Sequence, residues 1–180
     1  MRVLNFFHKA SGLKVNVDKS EAMWIGKPNF LEKPYGLKWT NEPILTLGIW
    51  ICNNIDKMNK LNQGEIIKRV EKNINTYKNV KMKLSSKIYI INTKIISQVN
   101  YIATSIFVDN ETIIKIKKLV LDFLWDGKPP KIKYNTIIGD HHEGGIKFVD
   151  IESKIKALKI SWIKKSGNKQ TWRNFFNEVH

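Results

Sequence analysis

Between Leu84 and Ile106 seven large apolar residues, Leu84, Ile88, Ile91, Ile95, Val99, Ile102 and Ile106, recur at spacings of four and three. Only an α-helix returns a side chain to the same face at that interval, so the segment predicts a helix of six turns with one face in a core. The β-branched residues would also suit strands, but strands of this length are rare and the period-two alternation is absent. A helix this long needs partners, and the flanking sequence supplies them. Ile67, Val70, Ile74 and Tyr77 mark a helix from about Leu61, with Lys68, Arg69, Lys72 and Lys78 mostly away from the apolar face. Asp109 or Asn110 can accept the free amides of a third helix, buried through Ile113, Ile116, Val120 and Phe123 and stopped by Gly127, Pro129 and Pro130. After a loop ending at Gly144-Gly145, Asp150 begins a fourth helix with Ile151, Ile155, Leu158 and Trp162 on one side.

The first third reads differently. Val3, Leu4, Phe6, Phe7 and Ala10 are helically spaced up to Ser11-Gly12, as though the chain began in the middle of a fold. Two apolar runs, Ala22 to Ile25 and Ile44 to Ile51, read as strands and are separated by Pro28, Pro34, Gly36 and Pro43. The expected fold class is therefore α+β, mainly α: two short strands, then a helical bundle.

Thirty-one Lys and Arg against sixteen Asp and Glu leave a net charge of +15, which favours a polyanionic partner, nucleic acid first. A ribosome-associated or acidic-membrane-binding protein would carry the same charge. The most apolar stretch, Val99 to Val108, is interrupted by Asn100, Thr104 and Ser105 and falls far short of the ~20 residues of a membrane span, so no membrane partner is expected. Cys52 is the only cysteine. It permits no intrachain disulfide and no cysteine-based zinc cluster, and with no visible signal peptide this suits a nuclear or cytoplasmic setting rather than secretion.

Few residues offer chemistry. Asp140-His141-His142-Glu143 holds metal-ligand types, but neighbours on one short loop rarely close a tetrahedron, and no metal is assigned. His8 and His180 read as packed or surface histidines. Trp24, Trp39, Trp50, Trp125, Trp162 and Trp172 could stack on bases, although Trp125 and Trp162 follow apolar helix faces and read as core.

Five blocks, in order, resemble the end of a LINE-type (non-LTR) retrotransposon reverse transcriptase. SGLKVNVDKSEAMWIG, residues 11–26, is similar to the segment after the catalytic palm motif, where the family reads SGLKIN and then Lys, Thr or Ser, Glu. LTLGIWI, residues 45–51, resembles the next strand, near the primer end. Tyr77-Lys78 leading to Lys87-Ile88, FLWDGKPPKIK at 123–133, and GGIKFVDIESKIKALKISWIKK at 144–165 resemble the family's thumb and the region beyond it. The Phe-Leu-Trp to Gly-Gly-Ile spacing is the most specific part. Where the family has Trp-Lys-x-Arg and then Leu-Thr/Ser-x-x-Gly-Lys, this chain has Tyr77, Val80, Met82, Lys83 and Ser86.

The resemblance implies a palm remnant at 1–55, a helical thumb at 56–127 and a helical extension at 128–180. It also implies that the metal-binding aspartates lie in an upstream catalytic palm, because this chain has no Asp-Asp pair and its first aspartate, Asp18, falls after that motif. Mg²⁺ is then a cofactor of the intact polymerase, with none expected in this chain. Lys19 matches the motif D lysine, a proton donor to departing pyrophosphate in the family, with an exposed loop lysine as the alternative. The partners implied are RNA and DNA as template-primer, held by their backbones. Lys68, Arg69 and Lys72 are the first choice for that surface, with Lys78, Lys115 and Lys118 next and Lys128, Lys131 and Lys133 after them. Two other readings stay open: a stand-alone basic nucleic-acid-binding protein derived from a retroelement, and a non-functional remnant.

Overall fold

A computed structural model describes residues 2–26, 33 and 36–167, the side chains of Arg2 and of 162–167 excepted. The Trp162 side chain, Trp172 and His180 therefore lie outside the described residues. The protein is mainly helical with two small two-stranded sheets, as the residue patterns predict. It divides into two compact units, Met1–Leu61 and Asn62–His180.

In the first unit α1 (Arg2–Ser11) ends at Gly12, whose φ of +74° is the left-handed conformation that closes a helix. His8 Nδ1 lies 3.2 Å from the carbonyl oxygen of Leu13, at the surface. The strands differ from expectation. Of the run Ala22 to Ile25 only Ala22 is in a strand, β1 (Glu21–Ala22), which pairs in parallel with β2 (Lys38–Trp39). The stacked rings of Trp24 and Trp39, 4.8 Å apart, accompany that pair. The run Ile44 to Ile51 is a hairpin rather than one strand: β3 (Ile44–Thr46) and β4 (Ile49–Ile51) are antiparallel. The reason is Leu47-Gly48, where two successive positive φ values, 50° and 77°, give the backbone of a type I′ turn. Cys52 is buried, and its thiol donates to the carbonyl of Asn54 at 3.1 Å.

The second unit is a helical bundle. α2 (Ile55–Tyr77), in which the division between the units falls, begins earlier than its apolar period shows. Its buried row in the second unit is Asn62, Ile66, Val70 and Ile74. Ile67 and Tyr77, expected on that face, are only half-buried: both Ile66 and Ile67 lie on the side of Val70, and packing against the other helices takes Ile66 inward. The predicted long helix is there, with one change: α3 (Leu84–Ile90) runs through a π turn (Ile91–Ile95) into α4 (Ser97–Ser105). The Ile96 amide reaches back five residues to Ile91. One extra residue in a turn shifts the face, so Ile95 and Ile96 are both buried beside Ile88, Ile91, Val99, Ile102 and Ile106. Leu84 is half-buried.

α5 (Asn110–Trp125) begins as expected, with the Asp109 carboxylate accepting from the Thr112 amide at 2.7 Å. Ile113, Ile116, Val120, Phe123 and Trp125 are buried in it. It ends on Asp126 and Gly127, both with positive φ, and the Gly127 amide reaches the Asp122 carbonyl at 2.8 Å. The next loop holds a short helix the sequence did not suggest, α6 (Tyr134–Ile138). Residues 146–149 are then pinned on two sides. The Ile137 carbonyl accepts from the amides of Ile146 and Phe148, while the Asn92 side chain accepts from the Val149 amide and donates to the Lys147 carbonyl. Gly145 has a steric reason to be glycine: a Cβ there would sit 2.0 Å from the Gly139 oxygen. α7 (Ile151–Gly167) is capped by Asp150, whose carboxylate accepts from Ser153, and packs on α4 and α5.

Candidate nucleic-acid interface

A helix offers phosphate contacts when one face is fixed in a core and the opposite face carries cations free of carboxylates. α2 meets both conditions at Lys68 and Lys72, one turn apart and exposed, with no ion pair to either among the described residues. Arg69 departs from expectation. It is half-buried and its Nε donates to Glu65 at 2.9 Å on the same helix, so part of its charge is already answered. Lys78 lies at the end of the helix, in an open groove of about 780 Å³ whose walls include Glu71, Asp122 and Asp126. That groove brings the last turns of α2 and α5 together, and its three carboxylates oppose an incoming phosphate.

Lys115 and Lys118 are exposed on α5. Lys115 holds Glu111 at 2.8 Å, and this pair raises its pKa. Lys118 has no ion pair among the described residues. Lys19, at the end of a single 3-10 turn capped by Asn16, is exposed. The predicted cations thus lie on different elements, and Lys68 with Lys72 is the pair one turn apart in which neither member is tied to a carboxylate among the described residues.

Two lysines that periodicity alone did not single out are structural. Lys87, named only within a block of resemblance, is buried, and its ammonium donates to the carbonyls of Phe123 and Leu124 and to the Asp126 carboxylate. It lies 5.6 Å from the centroid of the Phe123 ring. A cation at this point satisfies the last carbonyls of α5 and favours the negative end of its dipole. The same hydrogen bond is the main cause of the lowered Asp126 pKa. Lys117 pairs with Glu152 at 3.1 Å and lies over the Tyr134 ring, whose hydroxyl donates to Asp150. Burial, followed by the Asp150 hydrogen bond, pushes the Tyr134 pKa upward, so this hydroxyl stays protonated. Burial works against ionisation of Asp150, but donation from Ser153 and Tyr134 outweighs it and the pKa falls. The network fastens α5, α6 and α7 to one another.

Asp140, His141, His142 and Glu143 occupy a surface 3-10 turn. Asp140 faces Lys147 at 3.3 Å, and His141 Nδ1 lies 3.2 Å from the Gly145 carbonyl oxygen. Among the described residues no three His, Cys, Asp or Glu side chains are grouped to hold a metal ion, and no helix is long and apolar enough to cross a membrane. No protein-family model matches the chain.

Proposed function

We propose that this chain is the nucleic-acid-contacting, C-terminal part of a LINE-type reverse transcriptase, one that holds RNA and DNA by their backbones and does not polymerise by itself. The observation that carries the reading is the outward pair Lys68 and Lys72 on α2, whose inner row is fully buried. A cation on a rigid helix loses less freedom when it meets a phosphate than one on a loop. The five sequence blocks supply the family, and a palm bearing the aspartates supplies the chemistry with Mg²⁺. No residue of this chain is assigned a catalytic role beyond Lys19 as a candidate proton donor.

The test is a fluorescence-anisotropy titration of an RNA–DNA duplex at several salt concentrations with wild type and with Lys68→Gln/Lys72→Gln. Two lost contacts lower the magnitude of the slope of log K against log salt by roughly 1.4–1.8, whatever the base sequence. Binding that depends on base sequence, or a slope unchanged in a folded variant, overturns the assignment of this face. Primer extension by the purified chain in Mg²⁺ or Mn²⁺ would overturn the catalytic incompleteness.

A further inference from the structure

The segments 78–83 and 126–133 stand more than forty residues apart in the sequence, yet the fold closes them around one cleft. Its volume is about 230 Å³, and Met82 and Leu84 line it together with Trp125, Lys128 and Lys131. Lys81 and Lys83 flank Met82 in the first segment, and Lys133 stands two residues after Lys131 in the second. All five of these lysines are exposed, and none forms an ion pair among the described residues. Some lysines elsewhere are matched to carboxylates, Lys38 to Glu21, Lys57 to Glu42, Lys115 to Glu111, Lys117 and Lys156 to Glu152 and Lys147 to Asp140, while others, Lys68, Lys72 and Lys118 among them, are not among the described residues. What sets these five apart is that two segments bring them to one concave place. The one carboxylate lining this cleft, Asp126, is answered from inside by the buried ammonium of Lys87. Asp126 itself stays largely exposed, so the rim carries both signs, with its five lysines outnumbering the single carboxylate.

We infer that Lys128 and Lys131, which line the cleft at Trp125, and Lys81 and Lys83, which flank its Met82 wall in the sequence, form the two rims of a phosphodiester-backbone binding site on residues other than those of the α2 face. The inference rests on the reading of the chain as a nucleic-acid binder and adds where a second stretch of backbone lies. Cations on both sides of a concave surface suit a linear polyanion that runs along it, whereas a lipid surface asks for a flat or protruding face. The site is also held in shape. Buried Leu124 and Trp125 anchor the second rim, and Pro129 and Pro130 restrict the backbone between its lysines. Lysine ammoniums on fixed loops read charge and spacing but not bases, so binding here is indifferent to sequence.

The experiment uses the full chain and three variants, each checked by circular dichroism and thermal melting: Lys81→Gln/Lys83→Gln/Lys128→Gln/Lys131→Gln, the same four positions changed to Arg, and a control with Lys9, Lys14, Lys33 and Lys60 changed to Gln. All are titrated against an RNA–DNA duplex across a salt series. The Gln rim variant should lose about tenfold or more in affinity near 0.1 M salt, with the slope reduced in magnitude by roughly three. The Arg variant and the control should keep the wild-type slope. An equal loss in the control shows that total charge alone is at work and overturns the site, as does an unchanged slope in the rim variant. If the wild type binds no duplex, both this inference and the proposed function fall; if it binds and the Gln rim variant binds equally well, this inference falls alone. Should the quadruple variant misfold, each rim is changed separately, and a slope reduction of about 1.4–1.8 is expected from either pair. A parallel titration with phosphatidylserine vesicles decides the source of phosphate: rim variants that lose vesicle binding but keep duplex binding overturn the assignment to nucleic acid.

Discussion

The two units have apolar residues of the same kinds and use them in opposite ways. In Asn62–His180 the isoleucines and valines of α2, the α3–α4 segment, α5 and α7 close over one another, and Ile66, Ile91, Ile95, Ile102, Ile116 and Ile151 have almost no exposed surface. Among the described residues of Met1–Leu61 the only buried apolar side chain is Cys52, while Val3, Phe6, Phe7, Leu13 and Ile25 all face outward. Apolar content does not make a core. Long helices repeat a buried face turn after turn, whereas two- and three-residue strands bury too little on either side to do so.

The sharpest way to break this contrast is to place the same charge in each unit. Ile91→Asp puts a carboxylate at a fully buried position with no partner and should cost more than about 4 kcal/mol, enough to abolish cooperative melting. Phe6→Asp, on a residue already 75% exposed, should leave the melt of the bundle unchanged. A soluble Ile91→Asp protein with the wild-type melting curve would refute the account of the core.

Lys87→Met tests whether the bundle also depends on a buried cation. It leaves the Phe123 and Leu124 carbonyls without a donor while Asp126 stays solvated, for an expected loss of about 2–3 kcal/mol in denaturant unfolding. A gain in stability would mean that the methionine packs better than the ammonium bonds. Gly145→Ala should cost about 2 kcal/mol, because its methyl group must displace the backbone of Gly139. Faster hydrogen exchange at the Ile146 and Phe148 amides would locate that damage, and exchange confined to other regions would contradict it.

Asp109→Ala gives the smallest effect, about 1 kcal/mol at neutral pH, from loss of the cap on α5. The hydrogen bonds from Thr112, backbone first, hold the Asp109 pKa below its ordinary 3.8. A depressed carboxylate stabilises the fold fully above the unfolded value and loses that contribution as pH falls through the folded one. The gap between wild type and Asp109→Ala should therefore be constant above about pH 5 and narrow progressively as pH falls through 3.8 and below. Urea titrations at a series of pH values measure it, and a gap that widens in acid would show that the carboxylate is not what caps the helix.

What the residues determined by themselves is whatever repeats locally. The three-and-four spacing from Leu84 to Ile106, the caps Asp109 and Asp150 and the stop at Gly127 need no distant partner, and each has its expected place in the bundle. The fold class came from them. Tertiary structure decided everything that depends on two distant segments meeting. Ile66 rather than Ile67 faces inward because the other helices choose the face, and the π turn lets Ile95 and Ile96 both enter while Asn92 grips the chain near Val149. Arg69 fits the pattern of a free cation until Glu65 is seen to hold it. Lys87 looks like one more surface lysine, yet it reaches across thirty-six residues to the end of α5. A lysine carries the same charge in any sequence; whether that charge meets a carbonyl, a carboxylate or open solvent depends on which segments the fold brings beside it, and this is why the partner of each lysine could not be read from spacing.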